Sequence, residues 1–67
     1  MKTANQSLPP LTASEIIDEF GGTQEVADLL EITTGAVSQW RTNGIPDARL
    51  KYFKVLKPKF FNGREIA

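Results

Sequence analysis

Apolar residues recur along this chain at spacings of three and four, interrupted by glycine, proline and small polar residues. That is the rhythm of short amphipathic helices rather than of strands. Ile16, Ile17 and Phe20 form the first group. Thr12 and Glu15 have the spacing of a capping box, and Leu11 with Ile16 that of a hydrophobic staple. Together they predict a helix over 13–20, ended by Gly21 and Gly22. Val26, Ala27 and Leu30 share a face and predict a second helix over 24–30. Val37 and Trp40 predict a third over 34–42, with Thr33 as its N-cap and Ile32 and Val37 as a second staple. Asn43-Gly44 supplies its stop signal, since both residues tolerate left-handed backbone angles. Pro46 suits the first turn of a fourth helix over 47–56, whose inward line would be Leu50, Phe53 and Leu56. Pro58 cannot continue an undisturbed helix, and Phe60 and Phe61 then form an apolar knob before Asn62-Gly63.

These elements predict an all-α fold, a small helix-turn-helix domain of four to five short helices. Asn62-Gly63 is also a hairpin-turn signal, so a C-terminal β-hairpin is the alternative. The weak alternation in KYFKVLKPKFF and the helical spacing of Leu50, Phe53 and Leu56 favour the helical form. The expected organisation is a flexible arm over 1–10, a domain over 11–61 and a tail over 62–67. The arm is either plain disorder or a partly basic segment that touches DNA through Lys2. Phe60 and Phe61 either close the core or, with Tyr52, supply a dimer contact. Trp40, Phe20 and Phe53 are expected in the core.

The stretch over 23–42, TQEVADLLEITTGAVSQWRT, carries the chemistry. Two short helices meet at a corner formed by Glu31 and Ile32, with the small Ala27 where they must approach closely. A helix-turn-helix of this kind can place its second helix in the major groove. With Val37 and Trp40 facing inward, the outward face holds Thr34, Gly35, Ser38, Gln39 and Thr42, with Arg41 and Asn43 at its margins. It contains no Asp or Glu. Gln can bond adenine bidentately, and Ser or Thr can bond several base edges. Thr34, Gly35, Ser38, Gln39 and Thr42 are therefore the candidate base readers, and Arg41 and Asn43 candidate phosphate contacts. Gly35 costs roughly 1 kcal/mol of helix stability relative to Ala, so it needs another reason, and close approach to DNA supplies one. On one polar helix alone, the same residues would read as a solvated face. The corner beside them makes them a candidate reader.

The run FGGTQEVADLLEITTGAVSQWRTNGIP resembles the core of the Cro and repressor proteins of lambdoid phages and of related small Cro-type regulators encoded in bacteria. GAVSQW followed by GIP is especially similar to the all-helical Cro subgroup. The similarity extends over about residues 12–57. It implies a homodimeric transcriptional regulator, most simply a repressor, on a roughly palindromic operator. It also implies base reading by Thr34, Gly35, Ser38 and Gln39, and phosphate contacts at Thr23, Gln24 and Thr33. One departure stands out. The family usually has a left-handed Gly at the corner, where this chain has Glu31. A left-handed non-glycine residue costs roughly 1–2 kcal/mol, so the corner is either strained or rebuilt.

The net charge is zero, yet the charges are segregated. Glu15, Asp18, Glu19, Glu25, Asp28 and Glu31 precede the third helix, with no basic residue among them. Arg41, Arg49, Lys51, Lys54, Lys57, Lys59 and Arg64 follow, opposed only by Asp47 before residue 64. DNA responds to the local field at a docking face rather than to the net value. The same charges would also fit ordinary solvated helix faces. The 67 residues make one small domain with no cysteine and no histidine, which removes disulfides and the usual metal ligands and general base. No cofactor, metal or small-molecule substrate is expected, and no catalytic constellation is visible. No apolar run approaches the roughly 20 residues that span a membrane, and residues 1–11 lack an apolar signal core, so a cytoplasmic, nucleoid-associated location is expected. The competing readings are an excisionase-like winged-helix protein, which needs two strands after Gly44, and a helical adaptor that binds protein through Phe60 and Phe61.

Overall fold

The computed structural model describes residues 9–67, so the expected contact through Lys2 lies outside the described residues. Five helices follow in order: α1 Ala13–Glu19, α2 Thr23–Leu30, α3 Thr34–Asn43, α4 Asp47–Leu56 and α5 Pro58–Phe61. Among the described residues there is no strand, only an isolated parallel bridge between Leu11 and Ile66. The all-α expectation holds, with five helices. The winged-helix reading fails because residues 47–61 form helices where it needs strands.

Local sequence explains where the helices start and stop. The capping box is complete: Thr12 Oγ1 accepts from the Glu15 N–H at 3.1 Å, and the Thr12 N–H donates to Glu15 Oε1 at 2.9 Å. Two N–H groups that the first turn leaves without helical partners are thus satisfied. α1 ends when the Gly22 N–H reaches the Ile17 carbonyl and the Gly21 N–H reaches that of Asp18, at 3.0 and 3.1 Å. This paired termination needs a left-handed residue, and Gly21 adopts φ 105°. Thr33 caps α3 by accepting from the Ala36 N–H at 3.1 Å.

The core gathers where α1, α2, α3 and α4 converge. Ile16, Ile17, Val26, Val37 and Phe53 have no exposed surface, and both staple residues Leu11 and Ile16 are buried. Ala27 is 2% exposed, which fits its place at the crossing of α2 and α3. Phe20 is half-buried and packs on Phe53 with ring centroids 4.6 Å apart. Trp40 is also half-buried, so it edges the core rather than filling it.

The C-terminal half differs from expectation in three ways. Leu56 is 44% exposed, so the inward line of α4 stops at Phe53. Lys57, at φ −135° and ψ 65°, breaks the helix, and Pro58 then starts α5 in the first turn, where its missing N–H costs nothing. Asn62 takes a left-handed conformation (φ 42°) that ends α5, so Asn62-Gly63 stops a helix instead of turning a hairpin. Phe61 is 4% exposed and closes the core, so of the two expected uses of this ring the structure shows packing. Phe60 is half-buried and meets it edge-on at 5.2 Å.

Residues 64–67, expected in a tail, return to the entry of α1. The Leu11 N–H donates to the Glu65 carbonyl at 2.8 Å, and the Ala67 N–H to the Leu11 carbonyl at 2.7 Å. Arg64 Nη2 donates to the Pro9 carbonyl at 2.6 Å, and Ile66 packs against the core. The two ends of the described chain are thereby fastened together.

Candidate nucleic-acid interface

α2 and α3 are joined by only three residues, and the backbone there fixes their relation. The Ile32 N–H donates to the Ala27 carbonyl at 3.0 Å and the Glu31 N–H to that of Asp28 at 3.3 Å. Glu31 itself adopts φ 58° and ψ 45°. The corner is therefore the strained, left-handed form and not a rebuilt one. With Val37 anchored in the core, this corner turns one face of α3 outward.

That face has the expected membership. Thr34, Gly35, Ser38, Gln39 and Thr42 are all exposed, as is Asn43 in the last turn. No acidic side chain lies within α3. Gly35 has no internal reason to be glycine. A Cβ built there would meet only Thr33 Oγ1, at an ordinary 3.8 Å, and its φ is not in the left-handed range.

The expected phosphate contacts divide into two kinds. Thr33 and Asn43 are exposed beside the reading face. Thr33 spends its hydroxyl on the cap, which leaves its main chain for any contact. Gln24 is exposed at the start of α2 but its Nε2 donates to Asp28 Oδ1 at 3.0 Å. Thr23 and Arg41 are bound to each other: Arg41 Nε donates to Thr23 Oγ1 at 3.1 Å. Arg41 Nη2 also donates to Asp18 Oδ1 of α1, at 2.8 Å. Sequence reasoning missed Asp18 as a partner of Arg41, because 23 residues separate them and no local pattern links the two.

A family model described as DNA-binding transcriptional regulator Cro matches residues 12–54, more than half of the chain and all of α1, α2 and α3. The chain belongs to this Cro family. No curated protein and no solved structure matches it. The chain is accordingly a DNA-binding transcriptional regulator of a phage or prophage type, and its family is one of regulators rather than an enzyme class. Among the described residues no helix is long and apolar enough to cross a membrane.

For a Cro-family regulator the distribution of cations matters, and the structure narrows it. Three of the seven basic residues in the second half are engaged internally. Arg41 holds Asp18 and Thr23, and Arg64 holds the Pro9 carbonyl. Lys57 donates to the Glu19 carboxylate at 3.2 Å and to its carbonyl at 3.0 Å, with its ammonium 5.1 Å from the centre of the Phe20 ring. No ion pair among the described residues involves Arg49, Lys51, Lys54 or Lys59. Lys51 and Lys54 lie three apart on α4 and are exposed. Adjoining them on the same helix, Tyr52, Val55 and Leu56 are 42%, 77% and 44% exposed, with Val55 one turn from Lys51. Their i, i+3, i+4 spacing makes an apolar stripe. Of the expected dimer residues, Tyr52 lies on that stripe and Phe60 on the neighbouring groove beside Leu56 and Pro58, while Phe61 is turned into the core.

Proposed function

We propose that this regulator is a repressor that binds a pseudo-palindromic operator as a homodimer, with α3 in the major groove. The observation that carries the reading is the acid-free outward face of α3, presented by the left-handed corner at Glu31. Thr34, Gly35, Ser38, Gln39 and Thr42 read base edges, and Gly35 lets the backbone approach closely. The backbone N–H groups that open α2 and α3 face phosphates, as helix N-termini favour anions. Thr23, Gln24, Thr33 and Asn43 thus flank the reader. Arg49, Lys51, Lys54 and Lys59 add the long-range field.

One recognition helix covers a few base pairs, so a useful site needs two copies. The apolar stripe of Tyr52, Val55 and Leu56, with Phe60 at its edge, supplies the surface for a second copy. The stripe is small, so the free dimer is weak and operator DNA strengthens it by linkage. The regulator acts in the cytoplasm on the nucleoid of a bacterial or phage-infected cell.

Selection of bound duplexes from a random library tests this reading. Two related half-sites about one helical turn apart are expected. Placing the selected site within a promoter should then lower transcription from it. A protein that merely bridges other proteins would enrich no sequence, and that result would remove the proposal.

A further inference from the structure

We infer that Arg41 is a positioning residue that clamps the last turn of the recognition helix to α1 and α2, rather than a phosphate ligand. The inference rests on the reading of α3 as the DNA reader, and it concerns what holds that reader in register.

α3 packs on α1 and α2, but few of its own side chains are fully buried. Val37 is its one fully buried residue, and Gly35 weakens its first turn. In residues 40–43, Trp40 is half-buried, Thr42 and Asn43 are exposed, and none is fully buried. A helix end without packing or partners frays, because its carbonyls have no helical donors. Gln39 and Thr42 lie at this end, so fraying would blur their aim.

Arg41 counters this from the side. Its Nε bonds Thr23 Oγ1 at 3.1 Å and its Nη2 bonds Asp18 Oδ1 at 2.8 Å. The two partners belong to different helices, each fixed close by. Asp18 follows the fully buried Ile17, and Thr23 opens the helix that Val26 and Ala27 anchor. A planar guanidinium satisfies two such acceptors with one fixed fork, which a lysine ammonium does not reproduce. The Arg41 side chain is 29% exposed, and Asp18 already neutralises it. Its Nε and one N–H of Nη2 are committed to these partners, which fixes where the guanidinium sits and leaves chiefly Nη1 for any other acceptor.

The test uses the full chain with Asp18→Asn, Arg41→Lys, Arg41→Gln and the double variant Asp18→Asn/Arg41→Lys. The first readout needs no DNA. Amide hydrogen exchange in residues 40–43 should accelerate about two- to fivefold in every single variant, the range expected for losing a partly exposed charged pair, while α1 stays protected. The second readout is the ratio of operator to random-duplex affinity, which cancels the change in net charge. It should fall by a similar factor of about two to five in each single variant. The double variant should be no worse than the worse single, because one interaction is lost. The salt slope should not change with Arg41→Lys or Asp18→Asn. A phosphate ligand would behave otherwise. Arg41→Lys would keep its affinity, Arg41→Gln would weaken operator and random duplex alike and cut the salt slope by about 0.9, and exchange in α3 would not respond. That pattern would overturn the inference. If exchange responds but the parent binds no duplex, the clamp stands and the DNA-reading proposal fails. If the parent binds and exchange does not respond, the clamp alone fails.

Discussion

The Ile32 N–H bonds the Ala27 carbonyl at 3.0 Å, closing the α2–α3 corner around a left-handed Glu31. This six-to-one bond with its companion from the Glu31 N–H is the usual way a helix ends on a left-handed residue, and glycine is the residue that does so without cost. Glu31 carries a Cβ, so it pays roughly 1–2 kcal/mol for its conformation. Glu31→Gly removes that strain but adds freedom to the unfolded chain. The expected balance is a gain in stability of up to about 1 kcal/mol. Glu31→Gln keeps the strain and removes the charge, so its stability should match the parent. Urea unfolding of the three proteins decides it. A loss of stability in the glycine variant would mean that the Glu31 side chain contributes more than its backbone costs.

Much of the frame around this corner, from α1 to α3, was legible in the sequence because its determinants are local. Thr12 with Glu15 and Thr33 before Ala36 are contacts within one turn, and both form as spaced. The inward positions Val26, Ala27 and Val37 followed from helical periodicity alone. The conformation at Glu31 was not legible, since the sequence allowed a strained or a rebuilt turn. The tail was less readable still. Leu56 has the spacing of a core residue, but Lys57 breaks α4 and leaves it exposed. Residues 64–67 pair with Leu11 across more than fifty positions, and no short-range pattern encodes that pairing. The same holds for the candidate site. The outward face of α3 followed by subtraction from its inward face, whereas the internal partners of Arg41 and Lys57 come from helices far away in sequence.

The two phenylalanines of α5 and the stripe on α4 should separate cleanly. Phe61 is 4% exposed, so Phe61→Ala opens a cavity and should cost about 3–5 kcal/mol. At about 0.05–0.15 kcal/mol per residue a domain of this size holds roughly 3–10 kcal/mol, so the variant should be strongly destabilised, with a much lower urea midpoint than the parent. Val55 is 77% exposed, and Val55→Ser should change stability by less than about 0.5 kcal/mol. It should nevertheless weaken self-association, as read by sedimentation across protein concentration. Phe60→Ala should show a smaller loss of stability than Phe61→Ala, together with weaker association. Unchanged association of the Val55 and Phe60 variants would place the contact between copies elsewhere.

Salt should weaken duplex binding steeply, but less than a count of cations suggests. Each phosphate neutralised contributes about −0.9 to the slope of log K against log salt. With Arg41, Lys57 and Arg64 engaged internally, Arg49, Lys51, Lys54 and Lys59 are the basic residues left to the field, for a slope of roughly −3 to −4 per protomer. Lys51→Ala and Lys54→Ala should each make the slope shallower by up to about 0.9. Lys57→Ala should leave it where it was and lower stability slightly, because its ammonium sits against Glu19 and the Phe20 ring. Fluorescence anisotropy across a salt series reads all three. A flat slope in the parent would remove the electrostatic docking face altogether.

Reading and positioning should also come apart at the middle of α3. Ser38 and Gln39 are exposed on the outward face, and no hydrogen bond within the described residues occupies either side chain. Their donors and acceptors are therefore not committed to holding the fold, and replacing them should barely change stability. On DNA the effect should be local. Gln39→Ala removes a group that can bond two atoms of one adenine, and Ser38→Ala a hydroxyl that can bond a neighbouring base. Each should relax preference at one or two base pairs of every half-site by about 1–3 kcal/mol where a good contact is lost, with preference elsewhere intact. Repeating the library selection with each variant gives the answer directly, because a lost preference appears as a flattened position in the enriched sequences. Variants that enriched the parent's full sequence would show that some other element reads the bases, and α3 would then lose the role assigned to it.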